Sequence, residues 1–402
     1  MKSMPFRLLS LLNILWNGNL LLGTHLTFAQ VHPDYEFIDT MTTNYMAKYH
    51  TPGLALGIVK DTVLIWSKAY GKADIELGKP MSIDVIMNIG SISKTFTATA
   101  AMQLWEAGLL NLDTDINDYL DFRVRNPGYP DEPITLFQIL THTSSIQDGE
   151  AYSRSYSCDD PAISLDQWIR QSLVPGGKFY NDGDNYGDWS PGTKRSYSNV
   201  AFGLLGLVVE RVARQPFNDY CQQRIFEPLG MKNTGWMLRE INQDNHASAY
   251  GFLSEKNRED YLSFKDLFPA EEDYLPGTLI KACLYSFPNY PDGLVRTSIR
   301  EISYYLAAIM NGGTLNGKRI LKESTVRKML KLQIENDDHQ GLCWYQSKVT
   351  EDTKLWGHNG GDPGIQTNLF FDPDEKIGFI TFQNNIEGPA FSLIKALYQT
   401  GN

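Results

Sequence analysis

The stretch Gly90-Ser91-Ile92-Ser93-Lys94-Thr95-Phe96-Thr97-Ala98 decides the fold of this 402-residue chain. Apolar Ile86 and Met87 lead into it, and the pattern predicts a helix from Ser91 to Gly108. Residues three apart on a helix share a face, so the Lys94 nitrogen can approach the Ser91 oxygen. A serine hydroxyl is a poor nucleophile until a base takes its proton. A lysine serves as that base if burial or a nearby cation lowers its pKa. A helix start adds free backbone N–H groups and a positive dipole end, both useful to a developing oxyanion. Two bland alternatives stand beside this. Ser91 could simply cap the helix. The same S-x-x-K pattern also recurs at Ser392-Leu393-Ile394-Lys395, where a packed or solvated helix face accounts for it.

Outward from Ser91, both ends of the chain read as strands and the middle as helices. On the N-terminal side a helix is expected over about 34–48, ended by Pro52-Gly53. Leu54–Val59 and Val63–Ala69 form a hairpin through Lys60-Asp61-Thr62, its first strand covered on both faces. On the C-terminal side, helices are expected at Leu136–Leu140, Leu165–Leu173, Ala201–Ala213 and Ile302–Met310, the last stopped by Asn311-Gly312-Gly313. Strands return at Leu342–Tyr345, Leu355–Gly357, Thr367–Phe371 and Ile377–Phe382, before a final helix from about Pro389 to Gln399. Strands at both ends with helices inserted between them imply one sheet assembled from the two termini. The expected division is a sheet portion of about 34–90 and 340–402 and a helical portion of about 91–335.

Two further motifs accompany Ser91. Tyr197-Ser198-Asn199 is the one Y-x-N in the chain and follows Trp189-Ser190-Pro191-Gly192-Thr193. A tyrosine beside a lysine ionises more easily and can relay protons. An asparagine there can hold a substrate amide or orient Lys94. A turn before a helix near Val200 would explain the same residues. The third motif, Gly357-His358-Asn359-Gly360-Gly361, ends a strand. Its glycines let substrate lie along the strand, and His358 can donate a hydrogen bond or become charged at lower pH. A turn with an exposed histidine is the plain alternative.

Taken in order, these motifs resemble the serine hydrolases that include class C β-lactamases, D-Ala-D-Ala carboxypeptidase-type penicillin-binding proteins, D-aminopeptidases and related esterases. The matching stretches are GSISKTFTA from Gly90, LTHTSSI from Leu140, WSPGTKRSYSN from Trp189, DGLVRTSIREIS from Asp292 and GHNGGDPG from Gly357. The resemblance implies a mixed α/β (α+β) fold of the β-lactamase/transpeptidase type. In it an antiparallel sheet from both termini is flanked by helices and carries a large helical insertion. It implies Ser91 as the acylated nucleophile, with Lys94 and Tyr197 sharing acid and base duty. Asn199, His358 and Gly360 would contact substrate, and the N–H groups of Ser91 and Gly361 would form the oxyanion hole. His142 falls in the THTS stretch and is read as structural. One position departs from the β-lactamases of this group, which usually carry K-T-G where this chain has His358-Asn359-Gly360. A mostly neutral histidine recognises a carboxylate less well than a lysine does. Ester or D-amino-acid amide cleavage is therefore favoured over efficient antibiotic hydrolysis. A binding module using the same pocket with little turnover is the alternative.

Composition agrees with a globular enzyme. Hydrophobic residues make up 42%, enough for a sizeable core, and the net charge of −11 with no basic stripe excludes nucleic acid as a partner. Residues 1–29 have the layout of a secretory leader: Lys2 and Arg7, an apolar run from Leu8 to Trp16, and Thr27-Phe28-Ala29 before the cut. Asn17-Gly18-Asn19 breaks the run too early for a good spanning helix. The mature chain, 30–402, is expected to be an exported, periplasmic or secreted monomer without stable membrane insertion, acting on a small-molecule or peptide substrate. No cofactor is expected. Cys158, Cys221, Cys283 and Cys343 are too widely spaced for a zinc site, and one or two disulfides or buried free thiols fit equally. Asp182-Gly183-Asp184-Asn185 lacks the terminal glutamate of a calcium loop and is read as a solvated loop near the cleft.

Overall fold

The computed structural model describes residues 35–254, 264, 266–268, 277–335, 337 and 339–401. The expected leader, residues 1–29, lies outside them. Seven antiparallel strands form the main sheet: β1 Gly53–Lys60, β2 Val63–Asp74, β3 Lys79–Pro80, β4 Tyr345–Lys348, β5 Lys354–Asp362, β6 Ile365–Asp372 and β7 Ile377–Gln383. Their order is β4-β5-β6-β7-β1-β2-β3. The two ends of the chain meet at the middle of the sheet, where Leu54 pairs with Gln383 and Lys60 with Ile377. The β1–β2 turn needs Asp61 at φ 53°, a left-handed conformation that aspartate tolerates.

β1 is buried on both faces, as its unbroken apolar run requires. Leu54, Leu56 and Ile58 join the smaller core, with Ile38 and Tyr45 from α1 (Tyr35–Lys48) and Leu393, Ile394 and Leu397 from the C-terminal helix (Phe391–Gly401). Ala55 and Val59 face the larger core on the opposite side. That side is covered by α2 (Ser93–Glu106), α3 (Leu136–Leu140), α4 (Gly149–Ser153), α5 (Leu165–Leu173), α6 (Asn199–Ala213) and α7 (Ile299–Met310). Each leucine fully withdrawn from water stabilises the fold by about 1.5–3 kcal/mol before conformational entropy is charged against it.

Four local expectations are corrected. The α-helix begins at Ser93, and Ser91 lies in the 3₁₀ turn Gly90–Ile92 ahead of it. The strand expected at Leu342–Tyr345 starts only at Tyr345. Leu342 and Cys343 instead donate their N–H groups to Met329 and Leu140, so this apolar run is buried beneath the helices. The strand expected to stop at Gly357 runs on to Asp362, so the glycine-rich motif forms its last part, with His358 to Gly361 paired with Leu369 to Gln366 of β6. Asp182–Asn185 forms a short helix capped by the Asn181 side chain, and no group of residues suited to a metal ion occurs among those described.

Cys158 and Cys283 form a disulfide, whereas Cys221 and Cys343 are buried free thiols. Among the described residues no helix is long and apolar enough to cross a membrane.

Candidate active site

Ser91 is presented where the sheet meets the helical layer. Gly90 takes φ 52°, and a Cβ there would lie 2.8 Å from the backbone nitrogen of Gly361. A Cβ on Gly360 would lie 2.0 Å from the Ile89 carbonyl oxygen. Glycine at both places is therefore what lets the serine turn press against β5. The contact is fixed by side chains on either side. Thr367 donates to the Ile89 carbonyl at 2.8 Å, and Asn88 accepts from the Gly90 N–H at 2.9 Å while donating to Asp362 at 2.9 Å.

Ser91 caps no helix, since the α2 N-terminus has no side-chain cap. Its hydroxyl oxygen instead accepts from Lys94 Nζ at 3.0 Å. Lys94 is fully buried, and the same nitrogen donates to Asn199 Oδ1 at 2.6 Å and to the Asp292 carbonyl at 2.9 Å. An ammonium has three donors, and here they are shared among four acceptors, the fourth being Asp292 Oδ2. The Asp292 carboxylate approaches to 3.4 Å as a counter-ion. Burial works against the charge on Lys94, but Tyr197 and Asp292 outweigh it and hold the lysine above its ordinary pKa.

Tyr197 completes the group. Lys94 Nζ sits 4.8 Å from its ring centroid, and its hydroxyl is in contact with both Lys94 and Ser91. Burial of the hydroxyl pushes the phenol up, while Lys94 and Ser91 pull it down. On balance burial keeps the phenol above its ordinary pKa. The ring is held from behind by His142, stacked at 4.3 Å, whose Nδ1 accepts from the Ser198 N–H. That bond leaves the His142 proton on Nε2, and burial lowers the pKa well below the usual histidine value.

Asn199 is the first residue of α6, after the Ser198 cap. Asp148 sets its orientation. The Asp148 carboxylate accepts from the Asn199 N–H at 2.6 Å, the Val200 N–H at 3.0 Å and the Asn199 side-chain amide at 2.8 Å. One N–H of the Asn199 amide held by Asp148 fixes the side chain with its oxygen turned to Lys94. A carboxylate at this position also meets the positive end of the α6 dipole.

His358 is 2% exposed and lies edge-on to Tyr345 at 5.2 Å. Its Nδ1 faces the Asn359 carbonyl at 2.6 Å, an atom that can only accept, so Nδ1 carries the proton and Nε2 is left as an acceptor. Burial, followed by the field of Lys94, pushes its pKa down to about 3. The expectation of a donated bond or a charge at lower pH is thereby corrected: burial removes the charge, and the backbone takes the donor. Arg195 is bonded to Gln340 at 2.9 Å and stands 3.8 Å from Asp337, so its charge is already partnered.

The structure thus brings Ser91, Lys94, Tyr197 and Asn199 together and sets Gly360 and Gly361 against the serine turn. Sequence reading missed Asp148, which contacts Asn199 from 51 positions away, and Asp292, which lay unnoticed inside the DGLVRTSIREIS stretch. Neither belongs to a local pattern with Ser91 or Asn199, so no spacing signal pointed to them.

The family described as Beta-lactamase matches residues 38–396. Penicillin-binding protein 4* of Bacillus subtilis is 24% identical over 83% of this chain and 68% of its own length. A beta-lactamase of Yersinia enterocolitica is 23% identical over 90% of both chains. The solved D-amino acid amidase of Ochrobactrum anthropi SV3 superposes with a TM-score of 0.68 at 21% identity, covering 91% of this chain and 97% of the other. With the family match spanning nearly the whole chain and the fold shared with solved members, the chain belongs to the beta-lactamase family and is a serine hydrolase of that fold.

Proposed function

We propose that the protein is an exported hydrolase that works through an acyl-enzyme on Ser91 and cleaves esters or D-amino-acid amides. The observation that carries the reading is the single buried nitrogen of Lys94, bonded at once to Ser91 and Asn199. In this account Lys94 and Tyr197 move the serine proton to the leaving group and later activate water. Asn199 and Gly360 hold the substrate, and the N–H groups of Ser91 and Gly361 receive the oxyanion. His358 borders the substrate as a neutral acceptor. It cannot supply the positive charge that a substrate carboxylate needs, which favours uncharged acyl donors over carboxylate-bearing β-lactams and peptide termini.

Export is supported by the leader-like residues 1–29 and by the Cys158–Cys283 disulfide, a bond that persists in oxidising compartments. The test is a mass-spectrometric panel of p-nitrophenyl esters, D-amino-acid amides, D-Ala-D-Ala peptides and β-lactams, run on wild type and Ser91→Ala. Turnover of esters or D-amino-acid amides that vanishes in Ser91→Ala is expected. A preference for the carboxylate-bearing substrates would overturn the specificity, and turnover surviving Ser91→Ala would overturn the mechanism.

A further inference from the structure

Lys94 has a further side-chain partner that the acyl-transfer account leaves unused. Asp292 is 1% exposed and closes the 3₁₀ turn Tyr290–Asp292. Its Oδ2 lies 3.4 Å from Lys94 Nζ and accepts from the Tyr152 hydroxyl at 2.8 Å, while Oδ1 accepts from the Asn289 amide at 2.9 Å. Asn289 is itself fixed: its oxygen accepts from the Trp168 indole at 3.0 Å, and its amide also reaches the Asn199 carbonyl at 2.9 Å. Two glycines of α6 make room for this turn. A Cβ on Gly203 would lie 1.8 Å from Asn289 Oδ1, and one on Gly206 would lie 2.5 Å from Pro291 Cγ. The carboxylate is thus held against Lys94 by packing and by hydrogen bonds to both oxygens.

The partners of Lys94 differ in what they can do with a proton. The Asn199 amide oxygen and the Asp292 carbonyl can only accept a hydrogen bond. Tyr197 and the Asp292 carboxylate titrate, and Tyr197 already touches Ser91. We propose that Asp292 is the terminus of a proton relay that runs from Ser91 through Lys94. As the serine oxygen forms its bond to the acyl carbon, Lys94 passes one proton to Asp292 Oδ2 and takes up the Ser91 hydroxyl proton. Lys94 remains an ammonium, Asp292 becomes a neutral acid, and the negative charge resides on the oxyanion, so protons and charge balance. The proton returns through Lys94 to the leaving group when the tetrahedral intermediate collapses. Asp292 touches neither substrate nor Ser91, so it is a positioning residue that acts through Lys94.

The titratable groups around Asp292 are Lys94 from α2, Asp148 before α4, Tyr152 of α4, Tyr156 just beyond it, Tyr197 before α6, and Asp362 of β5. Burial raises the Asp292 pKa to about 6, against the opposing pull of Lys94 and Tyr152. Its accepting form is therefore present above about pH 6 and is lost as the pH falls through that value. Asp362 is pushed up by burial to about 7, held by Tyr156 and Asn88, and marks a separate step.

The relay rests on Ser91 being acylated, and its test keeps the two apart. The rate of fluorophosphonate labelling at Ser91 is followed from pH 5 to 9 in the wild type, Asp292→Asn and Tyr152→Phe. The wild type should show an inflection near pH 6. Asp292→Asn should lose that inflection and label about 100-fold more slowly at pH 7. Tyr152→Phe removes a bond that favours the carboxylate, so its inflection should move to higher pH. An Asp292→Asn protein that keeps the inflection near 6 overturns the relay, as does a Tyr152→Phe protein whose inflection does not move. Absence of Ser91 labelling in the wild type at every pH removes the acyl-enzyme reading itself.

Discussion

The chain contains the pattern S-x-x-K twice, and the two copies have opposite fates. Ser91 and Lys94 lie where a 3₁₀ turn runs into α2, and Lys94 is fully buried among four acceptors. Ser392 and Lys395 lie on the C-terminal helix, both exposed, with the Lys395 ammonium 5.8 Å from the Phe391 ring centroid. The residue types and the spacing are the same. What differs is the company: Asn199 and Tyr197 from the start of α6, Asp292 from a remote turn, and β5 pressed against Gly90. On the proposed function, an S-x-x-K pattern becomes a reaction centre where distant elements desolvate the lysine and engage its donors.

The sharpest way to break this contrast is to truncate each lysine. Lys94→Ala should lower kcat/KM for a p-nitrophenyl ester by about 10³–10⁴-fold, whereas Lys395→Ala should leave it within about twofold. Equal effects would make the burial argument irrelevant.

The next effect concerns how the Ser91 half is held together. The Cys158–Cys283 bond closes a loop with a sequence separation of 125 and adjoins the strands that Ser157 and Ser286 pair. Replacing both cysteines by serine should cost about 2–4 kcal/mol in denaturant unfolding, with the kcat/KM ratio between Lys94→Ala and its parent preserved. A double variant of unchanged stability would show that the bond does not constrain this half.

A smaller change tests how Asn199 is aimed. Asp148→Asn leaves the Asn199 amide and the α6 N–H groups with a weaker acceptor and removes a favourable charge from the helix N-terminus. A loss of about 1–3 kcal/mol in stability is expected, together with a fall in kcat larger than any rise in KM. A change confined to KM would separate Asn199 from Lys94 and tie it to substrate alone.

The smallest effect is on acid stability. His358 titrates near 3 in the fold but near 6.5 when unfolded. Between those values the unfolded chain binds a proton that the native site refuses, so this contribution to stability is lost as the pH falls from 6.5 toward 3. His358→Gln should show a shallower drop in Tm between pH 7 and pH 4.5 than the wild type. Lys395→Ala, far from any buried histidine, should follow the wild-type curve.

Much of this was legible in the sequence. The unbroken apolar run Leu54–Val59 announced a strand buried on both faces, and the helix end marked by Asn311-Gly312-Gly313 fell close to where it was read. Ser91, Lys94, Tyr197 and Asn199 could be named because each sits in a short motif. Leu342–Trp344 misled because burial beneath a helix and burial in a sheet produce the same apolar run. His358 misled because its backbone partner and its loss of charge depend on burial, which a glycine-rich motif does not reveal. Asp148 and Asp292 were invisible because each acts across a long sequence gap through one hydrogen-bonded network.

The most direct measurement is to map the covalent adduct of a fluorophosphonate probe by peptide mass spectrometry in wild type, Ser91→Ala and Ser392→Ala. The account predicts an adduct on the peptide containing Ser91, retained in Ser392→Ala and absent from Ser91→Ala. An adduct that persists in Ser91→Ala, or that maps to Ser392, would contradict it.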